Sequence, residues 1–349
     1  MRLSLSLWRA AVIARLGNVA MTVTTFPTRH HHVCKLFYND VYEVTLPPTH
    51  RFPMDKYKLI RTGLQDEYAN NPELSFHVSP LSTRRELETT HCSQYVERFL
   101  TEGAQTAAEI RAVGFPWSVA GTRRALSSVG GTVAAMRALL RGEALSVGHL
   151  AGGTHHAFFD YGEGFCVFSD IAVAANLALR EFPHLVSKVL ILDLDVHQGN
   201  GNAKLFEKRP EVFTFSMHCR ANIFSLKQTS DVDVDVEEGC GDEEYNAKLA
   251  GWMPFLFDIV QPQLVFFQAG VDVFEGDRLG RLALTRKGIQ RRNAIVLEAA
   301  KAAGVPLVLT MGGGYPRGDL ADPTLEAYQA VLECHKDCYR QLFETHRQK

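Results

Sequence analysis

VLILDLDVHQGNGN, residues 189–202, begins as an unbroken apolar run and ends in a turn rich in glycine and asparagine. Such a run reads as a strand buried on both faces, and the Gly/Asn tail as a chain reversal. Into this strand run three ionisable groups at alternate positions, Asp193, Asp195 and His197. Side chains at i and i+2 of a strand share a face, so the three point one way while Leu194 and Val196 face the packing layer. Burying two carboxylates beside an imidazole costs several kcal/mol unless a cation compensates. A metal ion is the economical expectation.

Other apolar runs surround this one: LSVGHLAGG, VFTFSMH, LVFFQAG and PLVLTMGGG. Between them lie stretches with helical periodicity, such as GGTVAAMRALLRG and DIAVAANLALREF. The alternation predicts an α/β fold, a single open and mostly parallel sheet with helices on both faces. Ligands of such sheets bind beyond the carboxyl ends of the strands. The polar residues collect there: THH after one strand, DVHQGN after the next, VD after FFQAG, and GGGY after the last. Asp272, in QAGVD, is the natural third metal ligand. Two Asp and one His leave a position open for water, as catalytic sites do.

His155 and His156 follow two glycines at a strand end, a placement that packing explains poorly. Beside a metal-bound water whose pKa falls towards ~7, an imidazole can accept a proton and return one to a leaving group. Histidines in this role need partners that fix tautomer and charge, and Asp193 and Asn200 are available. Tyr315 follows three glycines, which let backbone approach a ligand closely. A phenol there is placed to donate to a carbonyl oxygen as charge develops on it.

Taken together, AGGTHHAFFDYGEGFCVFSDIAVA, LDLDVHQGNG, QAGVDVFEGDRLGRLALT and GGGY resemble the histone deacetylase superfamily over about residues 36–345, and most of all its class IV-like branch. HRFPMDKY and SPLSTRRELETTHCSQYV fit that branch too. The resemblance implies an arginase/deacetylase-like sheet of about eight strands and metal-dependent removal of acetyl or longer acyl groups from lysine in proteins or peptides. It implies Zn2+ held by Asp195, His197 and Asp272, with Fe2+ able to substitute at so oxygen-rich a site. His155 and His156 become the tandem catalytic pair, Asp193 the partner of His155, Asn200 the partner of His156, and Tyr315 the residue polarising the acyl carbonyl. Gly164 and Phe165 would line the substrate tunnel. The segment CRANIFSLKQTSD departs from class I members, and Phe224 is the aromatic available for the far wall. A structural K+ would sit among Asp193, Asp195, His197, Ser216 and Met217.

Three rival readings stay open: a deacetylase of small acetylated amines, an inactive acyl-lysine binder, and an arginase-like hydrolase with two manganese ions. The last needs further carboxylates two residues past His197 and Asp272, where this chain has Gly199 and Phe274.

The chain has 349 residues, 46% hydrophobic and 22% charged, with net charge −2. That is ordinary for a globular protein and gives no global basic field to recruit nucleic acid. Seven cysteines without zinc-finger spacing fit a reducing compartment, with Cys334 and Cys338 as packing or surface thiols. No run of 18 apolar residues suggests a membrane span. SDVDVDVEEGCGDEEY tempts a calcium reading, but Val236 stands where an EF-hand loop needs glycine, and the Asp/Val alternation predicts a half-exposed strand. Residues 1–39 contain no Asp or Glu but hold Arg2, Arg9, Arg15, Arg29 and Lys35. Residues 1–34 therefore read as a leader resembling a mitochondrial presequence, ahead of a catalytic domain at 35–349. The alternatives are a start at Met21 and a cytoplasmic or nuclear location. His30, His31 and His32 read as part of the tail rather than a metal site.

Overall fold

The computed structural model describes residues 32–47 and 50–347. The leader thus lies almost wholly outside the described residues. Eight strands form one sheet: β1 His32–Tyr38, β2 Leu74–Val78, β3 Ala144–His149, β4 Val189–Asp193, β5 Val212–Cys219, β6 Val232–Val236, β7 Leu264–Gln268 and β8 Leu307–Thr310. Their order is β2-β1-β3-β8-β7-β4-β5-β6, and every pairing is parallel. The five apolar runs of the sequence become the five central strands.

Every residue of β4, β5, β7 and β8 is buried. The period of two then divides each strand between two cores. Leu190, Leu192, Val265, Phe267, Leu307 and Leu309 pack on one face with Val296, Leu297 and Leu332 of helices Arg286–Ala302 and Glu326–His346. Val189, Ile191, Leu264, Phe266 and Val308 pack on the other with Val129, Val133 and Ile171 of helices Val119–Leu140 and Asp170–Glu181. The Asp/Val alternation is β6, an edge strand. Its Asp233 accepts from Gln198 and Ser230, and its Asp235 from Lys227, so these carboxylates are engaged by protein donors. All seven cysteines are free thiols, and Cys334 and Cys338 are buried in the core.

One expectation is corrected. The β4 ladder stops at Asp193, so Asp195 and His197 lie beyond the strand rather than on its alternating face. The backbone explains it. The N–H groups of Asp195, Val196 and His197 donate to the carboxylates of Asp193 (3.1 Å), Asp272 (2.9 Å) and Asp195 (3.0 Å). Side-chain acceptors have taken the donors a ladder would need.

Helix Val119–Leu140 is seated tightly against the loop that follows β2. A Cβ on Gly130 would lie 2.0 Å from the carbonyl oxygen of Pro80. Alanine is intrinsically better in a helix by ~1 kcal/mol, whereas overpacking against fixed backbone costs ~1–3 kcal/mol. Gly130→Ala is therefore expected to destabilise the fold on balance. Denaturant unfolding monitored by circular dichroism should show a lowered midpoint; an unchanged or raised midpoint would contradict the packing described.

Candidate functional site

The carboxyl ends of β3, β4, β7 and β8 converge on one group. Asp195 and His197 follow β4, and Asp272 follows β7, its hydrogen-bonded neighbour. Their ligand atoms lie within 4.8 Å of one another, the one such cluster among the described residues. His197 presents Nδ1 to both carboxylates, 3.2 Å from Asp195 Oδ1 and 3.3 Å from Asp272 Oδ2. The Gly313 N–H, after β8, donates to Asp195 Oδ2 at 2.9 Å. A Cβ on Gly313 would fall 2.1 Å from Asp272, so only glycine allows this approach.

Asp195 and Asp272 are 1% and 0% exposed, and Asp272 Oδ2 has no hydrogen-bond partner. An orphaned buried carboxylate oxygen is costly unless a cation meets it. The electrostatics agree. Burial alone would lower the His197 pKa, but the hydrogen bond to Asp195 and the close negative charges of Asp272 and Asp195 outweigh it and push the imidazole up to about 10. These charges hold one proton strongly, and a divalent cation displaces such protons when it binds. The donor set of two carboxylates and one imidazole fits Zn2+ or Fe2+.

His155 and His156 are stacked with ring centroids 3.9 Å apart, yet their partners differ. His155 Nδ1 meets Asp193 Oδ2 at 2.7 Å, and His156 Nδ1 meets Asn200 Oδ1 at 2.7 Å. Burial lowers both pKa values. For His155 the charges of Asp193 and Asp195 win, and its pKa rises to about 9. For His156 burial is reinforced by His155 and His197, which hold it well below its ordinary value. Neighbouring titratable groups driven apart in this way are typical of acid/base pairs.

A mouth cavity of about 640 Å³ is lined by His156, His197, Gly164, Phe165, Phe224 and Tyr315, among others. Phe224 meets His156 edge-on at 4.6 Å and His197 at 5.5 Å. Gly164 is required beside it: its φ is +55°, and a Cβ would lie 2.8 Å from the Phe224 ring. Phe165 follows at φ +68°, a strained value for a bulky residue, its ring 6.1 Å from that of Tyr315. Burial, then the charges of Asp272 and Asp195, raise the Tyr315 pKa well above its ordinary value, so the phenol keeps its proton. Ser216 and Met217 lie in β5, with Ser216 directly opposite Asp193 in the ladder.

Four positioning residues were not singled out from sequence. Arg292, fully buried, donates to the carbonyls of Gly270 (2.6 Å), Ala269 (3.1 Å) and Leu194 (3.3 Å), tying together the loops that carry Asp272 and Asp195. Asp277 accepts the N–H of Tyr315 at 2.6 Å and those of Leu279 and Gly280 at 2.7 and 2.8 Å. Lys56 donates to Gly314 O at 3.1 Å with its ammonium 5.4 Å from the Tyr315 ring centre. Glu163 accepts from Asn200 Nδ2 at 2.8 Å and from Ser225 at 2.9 Å. An ionised carboxylate can only accept. Asn200 must therefore turn its NH2 to Glu163 and its oxygen to His156, which leaves the proton on Nδ1 and the lone pair on Nε2. Asp277 and Glu163 had a signal, an acid next to glycine in EGDRLG and YGEGF. Arg292 had none, hidden in the basic helix RKGIQRRN.

The histone deacetylase domain family matches residues 50–331. An uncharacterized protein of Picosynechococcus sp. is 43% identical over 281 residues, 80% of this chain and 91% of that one. Histone deacetylase 2 of Arabidopsis thaliana is 36% identical over 54% of this chain and 48% of its own, and histone deacetylase 1 of Homo sapiens 32% over 54% and 40%. The matched region thus spans half or less of each of these two named deacetylases. Among solved structures, the HDA15 HD domain superposes with TM-score 0.70 over 89% of both chains at 22% identity, a likeness of fold.

Asp272→Ala removes the orphaned oxygen and one of three donors. Equilibrium dialysis against Zn2+ is expected to find about one ion bound per wild-type chain and the variant unable to retain it. Undiminished binding by Asp272→Ala would show that the ion is held elsewhere.

Proposed function

The chain belongs to the histone deacetylase family, and on that premise we propose that it is a metal-dependent amidohydrolase releasing acyl groups from the side-chain amine of lysine in proteins or peptides. The observation that carries this reading is that His197 of the Asp195–His197–Asp272 cluster, His156 and Tyr315 line one cavity. Asp195, His197 and Asp272 would hold Zn2+, or Fe2+ in its place, which when bound supplies a polarised water and a Lewis acid for the acyl carbonyl. Gly199 and Phe274, where bridging carboxylates would be needed, support one ion over two. A K+ ion among Asp193, Asp195, His197, Ser216 and Met217 would be structural. HRFPMDKY supports a place in the class IV-like branch.

The chain's own residues divide the remaining work. His156, neutral with Nδ1–H donated to Asn200, offers its Nε2 lone pair as proton acceptor. His155, its pKa raised by the charges of Asp193 and Asp195, shares a proton with Asp193 behind the site. Phe165 and Phe224 wall an apolar passage suited to an aliphatic lysine stem. Tyr315 donates its phenolic proton to the acyl oxygen, a bond that strengthens as the oxygen gains charge and so acts mainly on the transition state.

Tyr315→Phe keeps the ring and removes the donor. Losing one such donor typically lowers kcat by ~10²–10³, about 2.7–4 kcal/mol. Steady-state kinetics on an acetyl-lysine peptide should show that loss with KM little altered and metal content unchanged. A near wild-type kcat would refute the role given to Tyr315.

The acid-free basic segment before Asp40 supports import into the mitochondrion. A fluorescent protein carrying residues 1–35 should be imported; a diffuse cytosolic signal would argue against it.

A further inference from the structure

The rim of the mouth cavity carries charge of one sign. Three arginines line it, Arg51, Arg111 and Arg281, and no Asp or Glu does. They come from three separate elements: the loop before helix Lys56–Glu67, helix Ala107–Val113, and the loop after β7. A solvated helix face would not bring them to one opening. Each is anchored through its neighbours on the wall. His50 Nε2 bonds Gly114 O at 2.8 Å, and the Phe52 ring packs 5.1 Å from that of Phe165. Ala112 O and Val113 O accept the N–H groups of Gly164 and Phe165 at 3.0 and 2.8 Å. The Arg281 N–H donates to Asn222 Oδ1 at 3.0 Å.

The guanidinium groups themselves are left to solvent. Arg51 and Arg111 are exposed and form no ion pair with the described residues. Arg281 has one loose partner, Glu238 at 3.6 Å, with both side chains more than half exposed. A pair of that kind contributes little and is easily exchanged. Guanidinium forks bind carboxylates with two parallel hydrogen bonds. A lysine-rich tail or an acetylated polyamine would instead bring like charge to this rim, which costs on-rate and affinity.

We infer that the substrate lysine is presented in an acidic context: a peptide segment with Asp or Glu flanking the acyl-lysine, held at the rim by Arg51, Arg111 and Arg281. The inference rests on the deacylase reading above and narrows its substrate class.

The test uses three acetyl-lysine peptides of equal length, flanked by Glu, Gln or Lys, and the full-length zinc-loaded protein. At low ionic strength kcat/KM should fall in the order Glu, Gln, Lys, with roughly tenfold between the extremes. The spread should shrink as salt shortens the Debye length to ~10 Å at 0.1 M and below. Fluorescently labelled peptides binding to the metal-free protein should rank in the same order. The triple substitution R51E/R111E/R281E alters exposed side chains only. It should invert the order while leaving the circular dichroism spectrum and thermal midpoint unchanged. Turnover of all three peptides at equal rates, or a preference for the Lys-flanked one, would overturn the inference and leave the deacylase reading standing. Failure to process any of them, the uncharged Gln peptide included, would overturn both.

Discussion

Two carboxylates, Asp195 and Asp272, are buried against each other at the ends of neighbouring strands, and the rest of the site is arranged around their repulsion. Left alone they would drive apart the loops that bear them. Three features oppose that. Arg292 reaches from helix Arg286–Ala302 to the carbonyls of Leu194, Ala269 and Gly270, so one guanidinium grips both loops. Backbone N–H groups of Val196 and Gly313 take one oxygen from each carboxylate. His197 faces the remaining negative charge, including the Asp272 oxygen that no hydrogen bond satisfies. The geometry that suits a divalent cation is thus imposed by covalent connections and buried donors, with the binding free energy reserved for the ion.

The same arrangement sorts the two stacked histidines. They are adjacent in sequence and equally buried, and what separates them is a single atom type opposite Nδ1: a carboxylate oxygen for His155, an amide oxygen for His156. Glu163 then decides which end of that amide His156 sees. A charge two residues removed from the reacting nitrogen sets its tautomer without adding charge beside it, and through Ser225 the same carboxylate also braces the segment bearing Phe224.

Much of this was legible in the sequence. The five apolar runs became the central strands because a strand covered on both faces has no polar face to confuse the pattern. The strands β1 and β2 at the other side of the sheet were harder, since KLFY and LSFHV mix partly and fully buried positions. Asp195, His197, Asp272, His155, His156 and Tyr315 stood out as polar residues where apolar runs end. Periodicity failed at Asp193, where the strand was expected to continue, because carboxylates compete with the ladder for backbone donors and no strand pattern encodes that competition. Arg292 and Lys56 were silent for a different reason. A basic residue on an amphipathic helix is ordinarily solvated, and only the fold shows these two turned inward onto carbonyl oxygens.

The Asp/Val alternation of β6, which imitated a calcium loop on paper, has another significance once its place at the sheet margin is known. The outer margin of a parallel sheet offers unpaired backbone groups to any passing strand, and a flat apolar margin would template the stacking of one molecule on the next. Asp233 and Asp235 put carboxylates along that margin, with Lys227 and Arg220 gathered about Asp235. A strand pairing there would have to displace or desolvate these charged groups. The residues that look most like a binding site in the bare sequence thus put charge on an exposed strand edge, a composition that disfavours further strand pairing.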